Sequence, residues 1–179
     1  MKKVVALLLT LVLCLSLVAA CGKKEAGSPE EVKGEVYDAG SVSALVPEGW
    51  KAFPVADFWS DDADAVDPTT FQIVKDGETE WDILTKPYVQ IFYYGADTDL
   101  LTPDSSWYDD AEDLDSFTTG DYTWEGFTGT SLGVPVTILW TEVGDIQYQI
   151  NMCTETDDET ISLEDADVQA ILASIEATE

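Results

Sequence analysis

The chain carries 36 aspartates and glutamates against 8 lysines, with no histidine and no arginine. Those absences bound its chemistry. Without histidine the usual general base, triad member and zinc ligand are missing. Without arginine there is no bidentate clamp for phosphate or carboxylate. Paired carboxylates can act as acid and base on a glycoside, but with 36 acids the spacing singles out no pair. The acid-rich stretches Asp57 to Asp67, Asp97-Thr98-Asp99, Asp109 to Asp115 and Glu155 to Glu159 offer the oxygen ligands that calcium prefers. None has the D-x-[DN]-x-[DN]-G loop spacing. They read as a solvated acidic surface, with no metal and no cofactor, and no enzyme activity is expected.

The aromatic residues are the more informative set. Trp124 and Trp140 lie in strand-like sequence, where packing is the ordinary role. Trp59, Trp81 and Trp107 lie in polar, loop-like surroundings and are the candidate ligand-binding residues. Exposed together, they would stack on a sugar ring, grip a peptide or hold a cation over their faces. The strongly negative field selects a neutral or cationic ligand, or a basic protein patch, and opposes a polyanion. Nucleic acid is excluded as a partner, because phosphate binding rests on Lys and Arg and only Lys51, Lys75 and Lys86 lie well inside the folded region.

Lys2 and Lys3 precede an uncharged run from Val4 to Ala20, which closes on small residues before Cys21. A basic head, an apolar segment and a small-residue boundary make a secretory signal peptide. Leu17-Val18-Ala19-Ala20-Cys21 resembles the lipobox of bacterial lipoproteins. The resemblance implies cleavage before Cys21 and a diacylglycerol on its thiol. It therefore implies an extracytoplasmic protein anchored to the cell membrane by lipid. Residues 1–20 are then the leader and 21–34 the lipidated cysteine with a flexible tether, GKKEAGSPEEVKG after Cys21. Loss of Lys2 and Lys3 takes the formal charge from −28 to −30. Lys23 and Lys24 suit anionic headgroups, while the acidic domain is repelled from them. Cys14 leaves with the leader, so Cys153 is the remaining thiol and no internal disulfide is expected. With no His or Arg to activate it, Cys153 reads as inert.

Residues 35–179 form one acidic domain. Tyr37 to Val46 alternates as a strand, Pro47-Glu48-Gly49-Trp50 is a turn, and Lys51 to Val55 is a return strand that Pro54 assigns to an edge. Asp57 to Asp67 is a short helix or an acidic loop. Phe71 to Val74 and Val89 to Tyr94 are strands, with a hairpin-type turn at Asp76-Gly77. Thr102-Pro103-Asp104 is a helix start, predicting a helix to about Leu114. Tyr122 to Thr130, Val136 to Val143 and Ile146 to Cys153 are too closely spaced for crossovers and predict an antiparallel meander. In the last of these, Ile146, Tyr148, Ile150 and Met152 share one face, and Gln147, Gln149 and Asn151 the other. Val168, Ile171, Leu172 and Ile175 recur at helical spacing behind a Ser162/Asp165 pair resembling a capping box, predicting an amphipathic helix docked on the sheet.

Val46-Pro47-Glu48-Gly49-Trp50, Trp124-Glu125-Gly126-Phe127 and the segment Val168 to Ile175 together resemble the Mog1/PsbP-like fold of small bacterial lipoproteins. That resemblance implies an α+β fold, an antiparallel β-sheet with flanking helices, and no particular chemistry. The expectation from the sequence is a lipid-anchored binding or adaptor protein engaging an envelope protein or peptide. The alternative is a sensor or carrier of a small cationic or sugar-like ligand, with an acid-based hydrolase a third reading.

Overall fold

A computed structural model describes residues 32–98, 100, 102–156 and 159–178. Cys21, the leader and most of the tether lie outside the described residues. Eight strands form one antiparallel sheet in the order β3(Trp50–Ala56), β4(Val66–Lys75), β5(Tyr88–Tyr94), β10(Ile146–Cys153), β9(Val134–Val143), β8(Tyr122–Ser131), β6(Asp109–Asp113), with β7(Phe117–Thr119) also beside β8. A smaller sheet pairs β1(Gly34–Asp38), β2(Val42–Pro47) and β11(Glu176–Ala177). This small sheet and the helix α1(Ala166–Ala173) cover one face of the large sheet.

The core between these layers follows from alternation. Phe71, Ile73, Val89, Ile91, Leu139 and Ile150 project from the large sheet. Val42 and Ala44 of β2 and Val168, Ile171 and Leu172 of α1 meet them, all at zero exposure. The two layers are also linked by phenols. The Tyr122 hydroxyl donates to the Ile175 carbonyl at 2.6 Å. Tyr148 packs edge-on against Tyr122, with ring centroids 5.4 Å apart.

The expected α+β architecture with flanking helices is corrected. The protein is β-rich, and α1 is the one α-helix among the described residues. The helix expected from Thr102 to Leu114 is a single 3₁₀ turn, Ser105–Trp107, followed by β6. The Asp104 side chain accepts from the Ser106 backbone at 2.9 Å, so the start signal operates for one turn only. Beyond it, Asp-Asp-Ala-Glu-Asp offers no apolar stripe to bury, and acids at helical spacing would repel. Those residues pair instead with β8, and all are exposed. The expected strand from Tyr37 to Val46 is in fact the β1–β2 hairpin. The Asp38 carboxylate accepts from the Gly40 N–H at 2.8 Å, and Gly40 takes φ 121°, a reversal that a side chain would oppose. The strand after the Pro47–Trp50 turn pairs with β4, not with the strand before the turn. It lies at the edge that Pro54 requires.

Burial raises the ionisation of the Tyr148 phenol well above its ordinary range, with Tyr122 beside it adding to the effect. Tyr122, Tyr88, Tyr94 and Tyr37 are raised too, each first by burial. An acid whose folded value is raised gives stability that is complete below the unfolded value, about 10 for tyrosine, and lost as pH rises through the folded value. The melting temperature should therefore fall above about pH 10, with a slope of up to about 1.4 kcal/mol per pH unit for each phenol. Thermal melts between pH 8 and pH 12 will show this. Tyr148→Phe should flatten the profile, and an identical profile would remove Tyr148 as a contributor.

Candidate functional site

Trp59, Trp81 and Trp107 are 97%, 70% and 82% exposed. The fold does not bring them together. Trp59 follows β3, at one end of the sheet, and Trp81 sits in the 3₁₀ turn Glu80–Leu84 between β4 and β5, at the other. The length of β4 separates them, about 33 Å of strand. Trp107 shares an end with Trp81, since the register places Asp109 level with Thr130 and Pro135, one residue from the row of Val136, Cys153 and Tyr88. Even so, β10, β9 and β8 lie between β5 and β6. That is roughly 19 Å of strand spacing. A single aromatic cleft built from the three is thereby corrected.

The acidic stretch after β3 is a closed loop. Asp57 N–H donates to Ala65 carbonyl at 3.0 Å across its neck. The Asp57 carboxylate accepts from Trp59 N–H at 2.9 Å, and the Asp62 carboxylate from Asp64 N–H at 3.1 Å. Short polar side chains bonding their own backbone two residues on are what hold such turns. Directly after the neck residue Asp57, Phe58, 86% exposed, stands beside Trp59. Phe58 escaped the sequence reading. Its signal was two adjacent large aromatics inside a run of aspartates, where no strand or helix period can bury them.

Trp81 is supported differently. The Asp82 carboxylate accepts from Glu78 N–H at 2.6 Å and Thr79 N–H at 3.0 Å. These backbone donors, Thr79 first, hold Asp82 below the usual carboxylate range. Gln72 Nε2 donates to the Glu80 carbonyl at 3.3 Å and moors the turn on the sheet.

The large sheet's second face, away from α1, is partly covered: Phe127, Ile138, Gln147 and Cys153 on it are buried, and Tyr108 packs on Phe127 with ring centroids 5.1 Å apart. Phe92, Gln149 and Trp140 are neighbours in register across β5, β10 and β9. Gln90 and Asn151 form the next row. All five are half-buried. Gln149 Nε2 donates to Asn151 Oδ1 at 3.0 Å, which fixes both amides. Tyr88 and Tyr94 flank Gln90 and Phe92 on the same side of β5. Cys153 opens onto this face but is buried, and burial raises its ionisation, so the thiol is unreactive. Between the two layers, at the mouth where β1 and β3 diverge, lies a cleft of about 500 Å³ with Tyr37 and Trp50 in its lining. Trp50 Nε1 donates to Asp167 Oδ2 at 3.0 Å. Among the described residues no three carboxylates or thiols converge as a metal site, and no helix is long and apolar enough to cross a membrane.

Fold and surface together define a β-rich protein with an exposed aromatic pair, Phe58 and Trp59, on a closed acidic loop. No family model and no curated protein sequence matches the chain. Among solved structures it is similar to LpqN of Mycobacterium tuberculosis, a protein involved in cell envelope biogenesis, at 17% identity and a TM-score of 0.48, covering 86% of this chain and 88% of LpqN. It is also similar to a protein of Bacteroides thetaiotaomicron, at 14% identity and a TM-score of 0.43 over 82% of this chain. The chain spans about half of that protein's length, 49%.

Proposed function

We propose that this is a non-catalytic binding protein of the bacterial envelope, anchored by lipid on Cys21, which engages an envelope protein through Phe58 and Trp59. The observation that carries the reading is the pair itself: 86% and 97% exposed on a loop closed by its own hydrogen bonds. Adjacent aromatics held clear of any core leave apolar area in water that only a partner covers. Aspartates at positions 57, 61, 62 and 64 ring them. The partner that fits has an apolar pocket with a lysine or arginine rim, and encounter is steered by charge. The absence of His and Arg and the burial of Cys153 favour binding over turnover.

With a photo-crosslinking amino acid replacing Ser60 in the full-length, membrane-anchored chain, one dominant protein adduct is expected. Phe58→Ala or Trp59→Ala should weaken it about 30-fold or more and leave the melting temperature unchanged, since neither side chain packs. An adduct indifferent to both substitutions overturns the reading. The anchor is tested separately. Cys21→Ser should move the protein from the detergent phase to the aqueous phase and leave the purified protein without its diacylglycerol mass.

A further inference from the structure

We infer that, given the lipid anchor proposed for Cys21, one end of the large sheet faces the membrane and rests its exposed apolar side chains in the headgroup layer of the bilayer. The register fixes which end this is. Trp50 pairs with Lys75, Val74 with Tyr88, Tyr88 with Cys153 and Cys153 with Val136, so these residues mark one end of β3, β4, β5, β10 and β9. The Lys33 carbonyl accepts from Glu48 N–H at 2.9 Å, in the turn that leads into Trp50. The chain therefore enters the domain at that end. Eleven residues lie between Cys21 and Lys33. Their span is at most about 40 Å, so this end is held within reach of the lipid surface.

The same end carries Trp81, Leu84, Trp107 and Leu132, at 70%, 76%, 82% and 102% exposure. Trp81 and Leu84 belong to the 3₁₀ turn between β4 and β5, and Leu132 to the turn between β8 and β9. Asp109 pairs with Thr130, so Trp107 and Leu132 each lie two residues beyond that pair. One exposed leucine is ordinary, but these four project from the end where the chain leads back to Cys21. They stand along a line across the sheet end, not around a hollow. Anchors spread over roughly 19 Å of strand spacing suit a broad, flat and fluid partner better than one concave pocket. An indole, apolar with a single N–H donor, favours the boundary between headgroups and acyl chains. Charge decides which end faces the lipid. The lysines among the described residues, Lys33, Lys51, Lys75 and Lys86, all lie at this end. Lys75 pairs with Glu159 at 2.8 Å, and Lys51 Nζ donates to the Glu78 carbonyl at 2.9 Å. Glu78, Glu80 and Asp82 stand among them, so this is no cationic patch, and apolar contact is the driving term. The opposite end, where aspartates ring Phe58 and Trp59, has no lysine among the described residues to offset its acids. Repulsion from an anionic surface falls hardest there, which turns the Phe58–Trp59 loop away from the membrane.

The test uses the full-length, lipidated protein in phosphatidylcholine vesicles, with and without phosphatidylcholine brominated high in its acyl chains, a contact quencher of tryptophan. Flotation with the vesicles reports the anchor, and quenching reports the face. Two of the six tryptophans should meet lipid, so the brominated lipid should lower the emission by up to about a third. Trp81→Phe with Trp107→Phe should remove most of the quenching, and Trp59→Phe should leave it intact. Leu84→Glu with Leu132→Glu should at least about halve it without changing flotation. All five side chains are exposed, so the variants keep the fold, and their melting temperatures check this. Protein that floats unquenched overturns the inference, with the anchor left standing and this end open to a protein partner. Protein that does not float overturns both. Quenching that survives undiminished without Trp81 and Trp107, or that is lost with Trp59→Phe, also overturns the inference.

Discussion

Gly126→Ala should cost about 3 kcal/mol of stability and lower the melting temperature by about 10 °C. Gly126 sits in the middle of β8, directly across from Leu139. A methyl there would stand 2.3 Å from the Ile138 carbonyl oxygen and 2.7 Å from Leu139 Cδ2. The first obstacle is backbone in a central strand pair and cannot swing aside. The second is a side chain at zero exposure, already confined by the core. Relief requires parting β8 from β9, which disturbs the meander beside the buried Trp124 and Phe127. The lower unfolded-state entropy of alanine returns only about 0.4–1 kcal/mol. Glu125→Ala, one residue earlier and exposed, should change stability by no more than about 0.5 kcal/mol. Chemical denaturation of the two variants beside the unsubstituted protein measures both, and near-equal midpoints would refute the clash.

The same strand shows what was legible beforehand. The meander of β8, β9 and β10 could be read because each turn carries its own glycine and each strand its own alternation, all local signals. The stripe of Val168, Ile171, Leu172 and Ile175 was equally local, and all four are buried. Where a local cue stood without a burial pattern, it misled. Thr102-Pro103-Asp104 announces a helix, but residues 109–113 have nothing apolar to put under one, and they become an exposed edge strand. The hairpin at Gly40 was hidden because Tyr37 to Val46 alternates straight through it. The candidate surfaces split along the same line. Exposure of Trp59, Trp81 and Trp107 followed from their polar neighbours. Their separation did not, because it depends on strand order. The row of Phe92, Gln149 and Trp140 was invisible for a related reason: three distant segments supply it, and only the register brings them side by side.

Strand order also explains why so short a helix matters so much, and Leu172→Ala should cost about 3 kcal/mol, within the usual 2–5 range. α1 has eight residues, too few to be helical alone in water. Its order comes from docking. Val168, Ile171 and Leu172 close the core at zero exposure over Val42 and Ala44 of β2. Polar contacts aim the helix: Thr119 Oγ1 donates to Gln169 Oε1 at 2.6 Å, and Leu45 N–H donates to Ser174 Oγ at 2.8 Å. A neutral hydrogen bond contributes about 1 kcal/mol net, less than a buried leucine together with the cavity its loss leaves. Thr119→Ala should therefore cost about half of Leu172→Ala or less, and Leu172→Met, which keeps the volume, under about 1.5 kcal/mol. Equilibrium unfolding ranks the three. Should Thr119→Ala prove the most damaging, the helix is held by its polar contacts and the apolar stripe is secondary. The opposite ranking, with Leu172→Ala also raising binding of a hydrophobic dye, places the closure of the two-layer core in those three apolar side chains.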